Sequence, residues 1–165
     1  EDYRVPIGKG KIIKKGDKIT IVAMSYMTIE AIHAVEYMHK QNIKCELIDL
    51  RTIRPIDWPL LKKSLKKTGN LLVLDTGNIT GSISGEILAK LSSENWKDFK
   101  SAPQRLAMPD YPEATSFALT KNYHVRAYDI VKKVGDILQC KLDYKLLKNK
   151  NKFHDVPGDW FNGPF

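Results

Sequence analysis

A length of 165 residues, with 42% hydrophobic and 28% charged side chains, fits one domain with a core of ordinary size. The chain contains no run of about 18 apolar residues and no apolar signal-peptide centre, so we expect neither a membrane span nor a membrane partner. The net charge of +8 raises the question of nucleic-acid binding, but the lysines are spread over every segment, so we expect solvated surface lysines and no nucleic-acid partner.

The first half of the chain predicts two strands, a helix and a third strand. Residues 9–25 indicate a hairpin of two short strands about a Gly16-Asp17 turn. The helix that follows has apolar residues at helical spacing, and Thr28 is its expected N-cap. Residues 43–50 then form a strand with a mostly apolar sequence, which is typical of a buried position.

Helices and strands alternate in the second half. Asp57 is expected to cap a helix that ends at Gly69. Residues 70–76 are apolar without alternation, which is typical of a strand covered on both faces. A helix, a short strand and a last helix follow, at residues 82–96, 103–110 and 125–138.

This order predicts an α/β fold with three layers, α/β/α. The sheet is mixed and five-stranded, and its first strand is antiparallel to the rest because of the opening hairpin. Residues 1–140 form the domain, and residues 141–165 form a basic and aromatic C-terminal extension. Three aromatic residues of that extension are expected to be exposed unless they dock on something, and such residues tend to mark contacts: Trp160, Phe161 and Phe165.

A polar segment, "RTIRPID", follows the strand at residues 43–50. The carboxyl ends of strands in an open α/β sheet are where ligands and partners bind. Arg51, Arg54 and Asp57 therefore belong either to a site or to a joint with another part of the protein. The sequence alone leaves both readings open.

Motifs for catalysis, nucleotides or metals are almost absent. No G-x-G-x-x-G follows a strand, and no histidine has a second ligand at metal-binding spacing. Residues 75–86 leave a strand and enter a helix with three glycines; they could bind an anion there, but we favour a turn with close packing. Asp75 is more simply a turn cap than a base, and with Arg51, Arg54 and Asp57 it is also a candidate interface residue. Cys45 and Cys140 lack disulfide or metal spacing, which favours a reducing cytoplasm.

The succession of motifs resembles the C-terminal domain of the transketolase family. It is most similar to β subunits of the thiamine-diphosphate-dependent 2-oxo acid dehydrogenases of the pyruvate or branched-chain type. The resemblance covers residues 5–138, and its most specific block is "IDLRTIRPID". The residues that carry it are Pro6-Ile7-Gly8-Lys9, Gly16-Asp17, residues 46–57, Lys67-Thr68-Gly69, residues 81–87 and residues 101–119.

The resemblance implies an assembly domain without the cofactor chemistry. In that family thiamine diphosphate and Mg are held by pyrimidine-binding and pyrophosphate-binding domains, whose motifs this chain lacks, so no catalytic residue is expected here and the domain alone is not expected to bind the cofactor. Such domains assemble the dimer or heterotetramer and can offer a docking surface to an acyltransferase core. "RTIRPID" is then a joint, and the same enzyme's other domains or subunits, together with further copies of the chain, are the expected partners.

Two further expectations complete the analysis. The missing initiator Met is what a piece of a longer chain would show. The alternative function is a non-catalytic module that docks a partner through its C-terminal tail together with Arg51 and Arg54.

Overall fold

The computed structural model describes residues 3–150 and 154–163, apart from the side chains of residues 149 and 150. Five strands alternate with helices in the order that the sequence predicts. The elements are β1 Lys11–Lys14, β2 Ile19–Ala23, α1 Met27–His39, β3 Cys45–Asp49, α2 Trp58–Thr68, β4 Leu71–Asn78, α3 Ile83–Asn95, β5 Gln104–Met108, α4 Ala127–Leu138 and α5 Lys145–Lys150.

The strands form one sheet in the order β1-β3-β2-β4-β5. Strand β1 is antiparallel to β3, and the other three pairings are parallel. One core cluster packs α1 and α4 on one face of the sheet, and a second packs α2 and α3 on the other. The structure therefore confirms the three-layer α/β/α fold with a mixed five-stranded sheet and an antiparallel first strand.

The predicted hairpin is wrong, although its consequence for strand direction is right. Strand β3 lies between β1 and β2, so β1 pairs with β3. The turn that was expected to join a hairpin binds the start of β3 instead, since Asp17 N and Lys18 N both donate to the Lys44 carbonyl at 3.1 Å. A side chain at Gly16 would place its Cβ 2.3 Å from the carbonyl carbon of Cys45, so glycine is required there for close approach.

The predicted cap of α1 is also wrong, whereas the caps of α2 are right. Helix α1 begins at Met27 after Tyr26, and Thr28 lies inside its first turn with a buried hydroxyl that has no hydrogen-bond partner among the described residues. Asp57 caps α2 by accepting from Leu60 N at 3.3 Å. Gly69 ends the same helix with φ of 77°, a left-handed conformation that glycine adopts without strain.

The C-terminal part of the chain returns to the body of the domain. Helix α5 packs against α1 and α4, and residues 154–163, which we name the tail segment, lie across the start of α4. The division of the chain at residue 140 stays a prediction. No helix among the described residues is long and apolar enough to span a membrane.

Candidate functional site

The parallel strands β2 to β5 all end at one side of the sheet, which we name the carboxyl edge. Residues 50–57, the Arg-Pro loop, leave β3 at this edge, and residues 79–82 enter α3 beside it. A groove of about 680 Å³ lies between these two segments. Its walls include Ile53, Arg54, Pro55, Trp58, Ile83 and Glu86.

The Arg-Pro loop is fastened to the N-terminal arm, residues 3–10. Gly8 N donates to the Thr52 hydroxyl at 3.0 Å, and that hydroxyl donates to the Pro55 carbonyl at 3.0 Å. A Cβ at Gly8 would lie 2.9 Å from the Pro55 ring, and φ at Gly8 is 74°. The arm therefore runs flush against the loop.

The two arginines of the loop take different positions. Arg51 has a left-handed backbone with φ of 60°, and its backbone N donates to Asp49 Oδ1 at 3.2 Å. Its guanidinium donates to the Tyr3 hydroxyl at 2.7 Å, which turns it towards the arm. Arg54, which precedes Pro55 through a cis peptide bond, is exposed and lines the groove. The structure thus brings Arg54 to the groove and Arg51 to the arm.

Asp57 is a buried tie between the arm and α2. Its side chain is 7% exposed. While Oδ1 caps α2 at Leu60 N, Oδ2 accepts from Gly10 N at 3.2 Å. Both oxygens are therefore used by backbone N–H groups, which makes Asp57 a structural carboxylate of the joint.

Asp75 has a similar role at the start of α3, where both of its oxygens accept from backbone N–H groups. It is 4% exposed, and it accepts from Gly77 N at 3.0 Å and from Ser84 N at 2.7 Å. The chain's own carboxylate thus occupies the position at this glycine-rich helix start that an external anion would take. The contacts agree with the turn-and-packing reading of residues 75–86 and with the capping reading of Asp75.

Glu30 forms a junction that the sequence did not indicate. This carboxylate in α1 is 4% exposed; Oε2 accepts from Ala127 N, at the start of α4, at 2.7 Å. Oε1 accepts from Trp160 Nε1 at 2.6 Å, and the Trp160 ring lies 6.3 Å from the Tyr26 ring. Burial, the largest cause, raises the pKa of that tyrosine to about 12. Glu30 thus joins α1, α4 and the tail segment at the carboxyl edge.

Further contacts hold the tail segment in place. Arg126, 3% exposed, donates to the Val156 carbonyl. His154 Nδ1 lies 2.9 Å from the Thr120 hydroxyl, and its ring is 4.0 Å from the Phe117 ring. Trp160 is therefore half-buried on its own chain, whereas Phe161 keeps 39% of its surface exposed. Phe165 lies outside the described residues.

His124 is a buried titratable group in the loop between β5 and α4. It is 8% exposed, and its Nε2 lies 3.1 Å from Glu113 Oε1. Burial lowers the pKa of His124, and the attraction of the Glu113 carboxylate opposes this shift without cancelling it. His124 is therefore interpreted as a packed residue of this loop.

Comparisons with known proteins found matches over most of the chain. The sequence model of the family described as "Transketolase, C-terminal domain" matches residues 8–130. The pyruvate dehydrogenase E1 component subunit beta of Rickettsia bellii (strain RML369-C) is 35% identical over 138 residues, 83% of this chain and 42% of that protein. The 2-oxoisovalerate dehydrogenase subunit beta of Bacillus subtilis (strain 168) is 34% identical over 112 residues, 68% of this chain and 34% of that protein.

A solved structure has the same fold. A split-gene transketolase in an inactive beta4 tetramer superposes with a TM-score of 0.70 at 27% identity, covering 86% of this chain and 45% of that one. The chain thus spans about two fifths of the length of the first curated relatives that it matches.

Proposed function

The chain belongs to the transketolase C-terminal domain family, and from that premise we propose that it is the assembly domain of a thiamine-diphosphate-dependent enzyme. The enzyme is a 2-oxo acid dehydrogenase β subunit or a transketolase-like relative. In this proposal the domain supports subunit association, and the cofactor chemistry belongs to the remaining parts. The short span that the chain covers in its relatives supports this division of roles.

The groove at the carboxyl edge is the observation that carries the proposal. Ile53 stands beside it with 50% of its surface exposed, and Arg54 adds a positive charge. The buried carboxylates around it, Asp57 and Asp75, are both engaged by backbone N–H groups, so they fix the shape of the edge. A rigid, partly apolar surface with a charged rim is suited to a protein partner.

The contacts of the buried carboxylates support the proposal that thiamine diphosphate and Mg are held by other parts of the enzyme. A diphosphate-bound Mg needs carboxylate or carbonyl oxygens that are free to coordinate it. Asp57, Asp75 and Glu30 use both oxygens for N–H donors of the chain. Gly16-Asp17 lies at the opposite edge of the sheet, where its turn binds the Lys44 carbonyl.

We therefore expect no micromolar binding of thiamine diphosphate with Mg by this chain in a calorimetric titration. The same titration of the full assembly, purified from the source cells, is expected to show saturable binding. Micromolar binding by the isolated chain would contradict the assigned division of roles.

Self-association of the chain tests whether the groove is a contact surface between subunits. We expect the chain to form a weak dimer or larger homo-oligomer, and Ile53→Asp to weaken that association about tenfold or more, because a charge would be buried at the contact. Sedimentation velocity over a concentration series measures this effect. Trp96→Asp is the matched control, since Trp96 is 66% exposed at the opposite edge of the sheet. Equal weakening by both variants, or a monomer at every concentration, would contradict the proposal.

The further partners follow from the same proposal. The companion pyrimidine- and pyrophosphate-binding domains adjoin the carboxyl edge, an acyltransferase core docks on the assembled enzyme, and the site of action is the cytoplasm.

The alternative function, a docking module that uses the tail, has one observation in its favour: Phe161 remains exposed at 6.1 Å from the docked Trp160 ring. Under that alternative, removing residues 141–165 abolishes capture of the partner.

A further inference from the structure

A basic pocket lies at the other side of the sheet, the amino edge, where the parallel strands begin. It has a volume of about 380 Å³. Val35 and Cys45 contribute apolar walls, and Glu36 and His39 also line it. Four lysines surround the pocket: Lys14, Lys15, Lys40 and Lys44. They come from two short stretches of the chain: Lys14 and Lys15 at the end of β1, and Lys40 and Lys44 between α1 and β3.

The backbone that carries these lysines is fixed. The turn after β1 is bound to the Lys44 carbonyl by two N–H groups, and the absence of a side chain at Gly16 lets it lie flush on β3. Lys40 occupies the C-cap of α1, where its N–H donates to the Met38 carbonyl. Cys45 is 1% exposed, and burial, the largest cause, raises its pKa to about 12, so the thiol adds no negative charge to the pocket.

The positive charge of the pocket is mostly uncompensated. Lys14 pairs with Glu36 at 3.5 Å. Within residues 3–150 and 154–163, no ion pair shorter than 4.0 Å reaches Lys15, Lys40 or Lys44. Lysines on the opposite face of the sheet, in contrast, form ion pairs with carboxylates, as Lys62 does with Glu94 at 2.6 Å. Like charges gathered around one pocket repel each other, and a bound anion removes that cost.

We propose that this pocket binds a compact polyanion, of the class of small phosphate esters and polyphosphates. Lysine ammonium groups bind phosphate oxygens as point charges, so four lysines on a fixed frame suit a ligand with two or more negative charges. The apolar walls accept the uncharged part of such a ligand. The pocket lies at the edge opposite the groove, so the proposal stands independently of the assembly function.

Inorganic tripolyphosphate is the probe, in low-salt buffer. We expect it to raise the midpoint of thermal unfolding by about 3–6 °C at roughly ten times its dissociation constant. The double variant Lys40→Gln/Lys44→Gln should lose most of this rise. The control Lys63→Gln/Lys66→Gln removes the same charge from exposed positions on α2, one of them again in a last helical turn, and should keep the rise.

Amide chemical shifts locate the site. Tripolyphosphate is expected to move the signals of residues 14–18, 40 and 44–45, and to leave the Arg-Pro loop unchanged. No stabilisation of the wild type would overturn the proposal. Equal loss in the pocket and control variants, or shifts spread over all lysines, would also overturn it, because either result means attraction to the overall positive charge.

Discussion

Glu30→Ala is expected to destabilise the fold by about 3–5 kcal/mol and to release the tail segment. The substitution removes a charged acceptor from two donors, Ala127 N and Trp160 Nε1, at 2.7 and 2.6 Å. Because the site is buried, these N–H groups lose their partner in a place that water reaches poorly. Denaturant unfolding measures the first effect, and hydrogen exchange of the Trp160 indole N–H measures the second.

Two further variants show whether the effect is specific to the contacts of Glu30. Glu36→Ala, in the same helix but 54% exposed at its side chain, should change stability by less than about 0.5 kcal/mol. Trp160→Phe keeps an aromatic ring but has no donor, so it should release the tail segment while keeping the bond from Ala127 to Glu30. Unchanged exchange of the indole N–H in Glu30→Ala would show that the junction does not hold the tail.

Asp57→Ala is expected to cost about 2–4 kcal/mol and to detach the N-terminal arm from the Arg-Pro loop. The substitution removes the N-cap of α2 and the acceptor for Gly10 N together. Since the arm fixes the Arg-Pro loop, we also expect weaker self-association through the groove. Denaturant unfolding and exchange of the Gly8 and Gly10 amides are the measurements.

Asp57→Asn separates the two roles of this carboxylate. Asparagine caps helices about as well as aspartate, so α2 should keep its cap. Its single carbonyl oxygen cannot serve both donors, and the amide of Gly10 should exchange faster while the cost falls to about half. If Asp57→Ala left the arm amides protected, the claim that Asp57 holds the arm against the Arg-Pro loop would be contradicted.

Local features of the fold were predictable from the sequence. The cap of α2 depends on residues three apart, Asp57 and Leu60, and its end depends on one glycine, Gly69. The order of strands and helices predicted the three-layer architecture, and the resemblance to the family implied the same fold. The Gly16-Asp17 turn misled because the hairpin signal is local, whereas β1 pairs with a strand more than thirty residues further along. Strand pairing at that distance is decided by packing, which a turn motif does not report.

The Arg-Pro loop and the tail segment also differ in how far the sequence predicted their positions. The position of "RTIRPID" at the carboxyl edge was predictable, because a polar segment that follows a buried strand must lie there. No pattern marked Glu30, since it lies 130 residues from Trp160 and reads as one more acidic residue in a helix. Cys45 lies in a strand whose apolar sequence is typical of a buried position, but that sequence gave no sign of the lysines around it. Those lysines come from two stretches of the chain, residues 14–15 and 40–44, which only the fold brings together.

Hydrogen exchange on the native assembly tests the central claim most directly. Amide exchange is compared between the isolated chain and the complex purified from its source cells. The account predicts that assembly protects the Arg-Pro loop and residues 79–84, beyond their protection in the isolated chain, and leaves residues 14–18 and 96–98 at the amino edge unchanged. Protection at the amino edge, with the carboxyl edge exchanging as fast as in the isolated chain, would contradict it.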